Sequence, residues 1–210
     1  MNQIFDFFLD AYQNTSTTDI ILELLAFIFG IASVVYAKKE NILVYPTGLI
    51  ATIITVYLLY KAQYFGDMMM NFYYSVMSIY GWWNWSRKRE DEYLVPISRT
   101  NIREKVIGVI LFVLTMCVTY LVYSANNYTL EIPNYIDIFT SGIFFTAMWY
   151  MATKKLENWT LWIIADIITV PLYAYRGLGM LSLQYLIFTI LAIQGYRQWK
   201  KSINNIQQIA

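Results

Sequence analysis

The chain has no histidine and a single cysteine, and only 14% of its 210 residues are charged. Each shortage excludes a class of chemistry. Without histidine, the commonest metal ligand and the commonest general base are gone. Cys117 alone can close no disulfide within the chain and build no thiolate metal site. Charge this sparse, against about a quarter in ordinary soluble domains, leaves no basic face for nucleic acid. The N-terminus carries Asp6, Asp10 and Asp19 where a cleaved signal peptide would be basic. No P-loop occurs, so the chain is not expected to hydrolyse ATP.

What is present is apolar and aromatic. Hydrophobic residues make up 58% of the chain and aromatic ones 18%, with 19 Tyr, 12 Phe and 7 Trp. A soluble globule of this size could not hide so much apolar surface. The expected class is an all-α polytopic membrane protein. A span needs about 20 mostly apolar residues. Seven stretches qualify: 18–37, 42–60, 67–85, 106–124, 134–152, 159–175 and 178–198. Residues 3–12, within an N-terminal segment 1–17, are short, aromatic and acidic, and read as a helix lying at the interface.

The loops orient these spans. Lys61 and Arg176 fall on the side that holds the N-terminus, and the other 13 of the 15 Lys and Arg fall on the opposite side. The positive-inside rule then predicts an outside N-terminus and a cytoplasmic C-terminus. Residues 86–105, with Pro96 and charges of both signs, read as a solvated cytoplasmic linker, and 200–210 as a cytoplasmic tail.

The chain also repeats itself. Ala51-Thr52-Ile53-Ile54-Thr55-Val56 returns as Ala165-Asp166-Ile167-Ile168-Thr169-Val170, Gly81 and Trp85 return as Gly195 and Trp199, and Tyr36 matches Tyr150, all at one offset of 114 residues. Glu23 meets an acid, Asp137, at the same offset. Spans 1–3 (18–85) therefore correspond to spans 5–7 (133–199). Three is odd, so one linking span (106–124) is needed to give both halves the same orientation. The expected plan is 3+1+3, two parallel three-helix repeats as in SWEET-like transporters, with the substrate near midplane between them.

Helical spacing gathers polar and aromatic residues into stripes. Trp162, Asp166, Thr169 and Tyr173 share one face of span 6. Gly48, Thr52 and Thr55 are their counterparts in span 2. Asn71, Tyr74, Ser75, Ser78 and Trp82 share a face of span 3, and span 7 adds Gln184 and Gln194. Asp166 lies about 10 Å from the end of its span, near midplane, where an ionisable group must face protein or water. It is expected either to touch a ligand or to brace a neighbouring helix. Thr52, Thr55, Ser75 and Ser78 read as helix-packing hydroxyls. Tyr36, Tyr150, Trp85, Trp159 and Trp199 read as an interfacial belt. The candidate substrate-binding set is Asn71, Tyr74, Trp82, Trp162, Asp166, Tyr173 and Gln184, with no metal or cofactor. No Lys or Arg falls in the middle of a span, so the interior suits a cationic or neutral aromatic ligand with hydroxyls better than a phosphate. A membrane enzyme would need a reactive cluster and a receptor a signalling domain; neither is evident.

Two motifs are family-specific. Ile79-Tyr80-Gly81-Trp82-Trp83-Asn84-Trp85 resembles a signature of the Pnu family of vitamin transporters. Glu157-Asn158-Trp159-Thr160-Leu161-Trp162-Ile163-Ile164-Ala165-Asp166, followed by Pro171-Leu172-Tyr173 and Arg176-Gly177-Leu178, resembles the second-half pattern of its PnuC branch. The resemblance runs over about residues 20–200. It implies a seven-span SWEET-like fold in a bacterial inner membrane, commonly a homotrimer. It also implies uptake by facilitated diffusion, with the vitamin trapped inside by phosphorylation. The PnuC branch carries nicotinamide riboside, and related branches carry thiamine or riboflavin. The first two have a cationic ring, which the interior suits.

Overall fold

The computed structural model describes residues 16–61, 65–89, 92–93, 95–125, 130–176 and 179–209; the segment 3–12 lies outside them. Seven helices are described: α1 (Thr17–Lys38), α2 (Val44–Lys61), α3 (Phe65–Ser86), α4 (Ile102–Ala125), α5 (Ile132–Ala152), α6 (Glu157–Tyr175) and α7 (Gly179–Ile209). A two-stranded hairpin, β1 (Lys88–Arg89) and β2 (Glu92–Tyr93), follows α3.

Local chemistry sets several boundaries. Ser16 caps α1, its Oγ accepting from the Asp19 amide at 3.2 Å. Asn101 and Glu104 cap α4 reciprocally, each side chain accepting from the other's amide at 2.8–2.9 Å. This capping box starts α4 at Ile102, four residues before the apolar run at 106.

Four helices, α1, α2, α4 and α7, are long and apolar enough to cross a membrane. The other three fall short of that measure because they carry many of the chain's polar residues. Large apolar side chains such as Ile28, Ile53, Val109, Leu121 and Ile167 stand exposed on the outer surface. In water such a surface would aggregate; against acyl chains it is solvated.

Helices α1, α2 and α3 pack in sequence, and so do α5, α6 and α7. Between these groups, α1 meets α7 and α3 meets α5, while α4 packs on α5. The two inter-group contacts are the same contact seen from either side of the 114-residue offset.

The offset recurs hydrogen bond by hydrogen bond where α1 turns into α2 and α5 into α6. The amides of Glu40 and Asn41 donate to Ala37 O (3.0 Å) and Tyr36 O (2.9 Å); those of Lys154 and Lys155 donate to Met151 O (3.0 Å) and Tyr150 O (2.8 Å). Glu40 and Lys154 both adopt left-handed backbone, at φ 55° and 54°. The following aromatic, Tyr45 or Trp159, is seated on Gly81 or Gly195. A Cβ on either glycine would lie 2.3 or 2.7 Å from that ring, so glycine is required there.

Trp85 and Trp199 complete the pattern across the two halves. Trp85 Nε1–H donates to Met151 O (3.2 Å), and Trp199 Nε1–H donates to Ala37 O (3.1 Å). Both rings meet their own half's aromatic edge-on: Tyr45–Trp85 at 88° and Trp159–Trp199 at 89°.

These contacts correct the expectation of an interfacial belt. Trp85, Trp159 and Trp199 are at most 2% exposed and form, with Tyr45, the buried core where the halves join. Tyr150 is also buried, its hydroxyl donating to Glu104 O at 3.2 Å. The linker expectation is corrected too. Ile97 and Thr100 are buried, and Ser98 pairs with the α5–α6 turn through Lys154 O (3.1 Å) and the Leu156 amide (2.9 Å). Helix α7 continues to Ile209, so the stretch read as a tail from 200 is helical, and Trp199 and Ile203 are buried.

Candidate functional site

A cavity of about 1180 Å³ lies between the two groups of helices. It is lined from α1, α2, α3, α5, α6 and α7; none of its described lining residues comes from α4. At the end near the start of α1 it reaches Ser16, Asp19, Glu23, Lys61 and Asp137. At the opposite end it stops at Ala37, Tyr45, Met151 and Trp159, on the buried aromatic core.

Six of the seven expected site residues line this one cavity: Asn71 and Tyr74 from α3, Trp162, Asp166 and Tyr173 from α6, and Gln184 from α7. Trp82 does not. It is 43% exposed on the outer side of α3. The inward stripe of α3 runs Asn71, Tyr74, Ser78, Gly81, Trp85. Those steps of three and four leave residue 82 beside the stripe at its far end.

Asp166 is the polar focus. It is 1% exposed, yet its Oδ1 finds no hydrogen-bond donor among the described residues. Thr169 Oγ1, one turn along the same face, is also buried and unpartnered. Leaving a buried polar atom unpaired costs about 1–3 kcal/mol, more for a charge. Asp166 and Thr169 both belong to the cavity lining, and a donor that reached either atom would be rewarded.

The rest of the wall is aromatic. Tyr74 lies 6.2 Å from Trp162 between ring centroids, Trp162 5.5 Å from Phe144, Phe144 5.8 Å from Tyr185, and Tyr185 5.2 Å from Tyr173. Rings at these separations interact, and their faces attract a cation. Phe144, Tyr185 and Phe188 are lining residues the sequence reading missed. The one available signal was weak: Tyr185 adjoins Gln184.

Of the expected packing hydroxyls, Thr52, Thr55 and Ser75 bond within and between the helices, while Thr52, Thr55 and Ser78 also line the cavity. Thr55 Oγ1 donates to Ala51 O (2.9 Å), Ser75 Oγ to Asn71 O (3.0 Å), and Thr52 and Ser75 share a hydrogen bond at 2.8 Å. Charges at the open end are tied in place. Lys61 pairs with Asp19. Asp137 accepts from the Tyr123 hydroxyl at 2.6 Å and lies 3.8 Å from Arg176 Nη1. Among the described lining residues the only lysine or arginine is Lys61, at that end.

Comparison with known proteins agrees with this architecture. The family model described as "nicotinamide mononucleotide transporter" matches residues 20–201. The nicotinamide riboside transporter PnuC of Escherichia coli (strain K12) is 26% identical over 204 residues, covering 86% of this chain and 85% of that one. The nicotinamide riboside transporter PnuC of Neisseria mucosa is 25% identical over 192 residues, covering 85% of this chain and 72% of that one. A crystal structure of the vitamin B3 transporter PnuC superposes with a TM-score of 0.69 at 25% identity, covering 90% of this chain and 84% of that one.

Proposed function

Because the chain belongs to the nicotinamide mononucleotide transporter family, we propose that it carries nicotinamide riboside inward across a bacterial cytoplasmic membrane. The observation that carries this reading is the cavity wall: a buried carboxylate with Oδ1 unpartnered, two amides and a run of aromatic faces, with Lys61 at the rim as the only lysine or arginine among the described lining residues. A pyridinium ring suits the aromatic faces and Asp166. The carboxamide and ribose hydroxyls suit Asn71 and Gln184. A phosphate would need fixed cations or a cluster of backbone donors at depth, which favours the riboside over the mononucleotide.

All seven helices then cross the membrane, in a 3+1+3 SWEET-like plan with α4 as the linking span. The repeated turn, the exchanged indole bonds and the six-helix lining support that reading. The loop charges support an outside N-terminus and a cytoplasmic C-terminus. The cavity therefore reaches the outer face and is closed at the cytoplasmic end by the buried aromatic core. Transport is facilitated diffusion by alternating closure of the two ends, with phosphorylation inside the cell retaining the cargo. The family resemblance carries the homotrimer.

The test is a titration of purified protein with nicotinamide riboside, nicotinamide mononucleotide, thiamine and riboflavin, followed by uptake into proteoliposomes. Saturable binding and uptake of the riboside, with none of the mononucleotide, is the expected result. Thiamine bound in preference would replace the cargo and leave the transport class intact. Uptake of none of the four would reject the reading.

A further inference from the structure

The described helix glycines differ in what a side chain would meet, and Gly48, whose Cβ would lie 2.9 Å from Ser33 Oγ, stands between two extremes. At Gly81, Gly108, Gly142 and Gly195 an added Cβ would lie 2.3–2.7 Å from a neighbouring aromatic side chain, so packing forbids a side chain. Gly30 is different. A Cβ there would meet nothing nearer than Gln184 Nε2 at 3.5 Å and Phe188 Cζ at 3.6 Å, which is ordinary contact with the tips of two cavity-lining side chains. Packing does not require glycine at position 30, yet a glycine inside a helix is a poorer choice than alanine.

The 114-residue offset pairs Gly30 with Phe144. In the second half that place is filled by a ring, 5.5 Å from Trp162 and 5.8 Å from Tyr185. Likewise Gly48 pairs with Trp162, and Asn71 with Tyr185. The second half supplies the aromatic wall. The first half carries no ring at the related positions: Gly30 lines the cavity, while at Gly48 a Cβ would lie 2.9 Å from Ser33 Oγ.

We infer that Gly30 is a specificity-determining residue: the bound nucleoside lies directly against the α1 backbone between Gln184 and Phe188, and the missing side chain sets the largest group that fits there. The inference rests on the ligand reading above. It places the ring on the second half's wall and the sugar in the first half's space. A backbone with no Cβ is the usual device where a ligand must approach closely.

The experiment compares Gly30→Ala and Gly30→Leu with the parent, using Gly81→Ala as the packing control. Unfolding midpoints are measured without ligand, and binding is measured with nicotinamide riboside. Gly30→Ala should unfold at or above the parent's temperature while binding about tenfold more weakly or worse. Gly81→Ala should unfold lower. Gly30→Leu should abolish binding; if it does not fold, Gly30→Ala decides alone. Parent-like binding by a folded Gly30→Ala would overturn the assignment. So would a loss of stability equal to that of Gly81→Ala, which would make Gly30 one more packing glycine. If the parent binds thiamine and not the riboside, the cargo reading fails and the same ratio is read with thiamine. If the parent binds neither, both inferences fail together.

Discussion

Glu40 and Lys154 stand 114 residues apart, at matching positions of the repeated turn, and they are bonded to each other: Lys154 Nζ donates to Glu40 Oε1 at 2.8 Å. Each has the left-handed backbone of its turn, and the Lys154 ammonium also lies 4.7 Å from the centre of the Trp85 ring. The pair therefore joins the halves at the closed end of the cavity.

Replacing Glu40 by Gln removes the carboxylate charge bonded to a nearly buried ammonium. Because Glu40 is itself 38% exposed, water will soften the loss, and about 1–3 kcal/mol of stability should go. Matching backbones make a sharper test available. The double variant Glu40→Lys with Lys154→Glu should recover most of that loss in thermal unfolding, since each residue would enter a turn of the same shape. A double variant no better than the worse single one would show that the two positions are not interchangeable.

Gly81→Ala and Gly195→Ala should each lower stability by about 1–3 kcal/mol, because a methyl group would strike the seated ring of Tyr45 or Trp159. Trimming the ring should relieve the clash: Gly195→Ala combined with Trp159→Leu is expected to lose less than the two single effects added together. Denaturation in detergent measures this, and strict additivity would count against the seat.

Asn71→Ala and Gln184→Ala should weaken riboside binding about 5- to 150-fold, the range for leaving one buried polar group of the ligand unsatisfied. Their unfolding without ligand should change little, as both face the cavity. Asp166→Asn should weaken binding of the cation and leave folding intact, because Oδ1 holds no partner within the described fold. If Asp166→Asn unfolds the protein instead, the carboxylate braces a helix.

Uptake should run to equal concentrations inside and outside a vesicle, without ATP and unaffected by ionophores. The chain has no P-loop and no histidine for a proton relay. Accumulation above equilibrium that collapses with an ionophore would refute facilitated diffusion.

Much of the helix plan was legible because apolar length and helical spacing report directly on a lipid environment. The expected 18–37 and 134–152 match Thr17–Lys38 and Ile132–Ala152 closely. Asp166, Asn71 and Gln184 were legible because polarity inside an apolar run is conspicuous. Phe144 and Phe188 were not: a phenylalanine in an apolar helix looks the same whether it faces lipid or a ligand. The tryptophans were misread for a related reason. At a span end, Trp suits an interface and a buried junction equally well; the carbonyls of Met151 and Ala37 separate the two for Trp85 and Trp199, and the seat on Gly195 does so for Trp159.

Helix α4 packs on α5 and lends nothing described to the cavity, and the stretch around Ser98 is fastened to the α5–α6 turn. The chain is therefore divisible into unequal pieces, three helices ahead of the β1–β2 hairpin and four behind it. A cut in that hairpin would spare both turns, every glycine seat and both indole bonds. What holds the molecule together across that point is recognition between two surfaces, α1 with α7 and α3 with α5, and not the continuity of the polypeptide. Severed there, the two fragments would behave as subunits with a built-in address for one another.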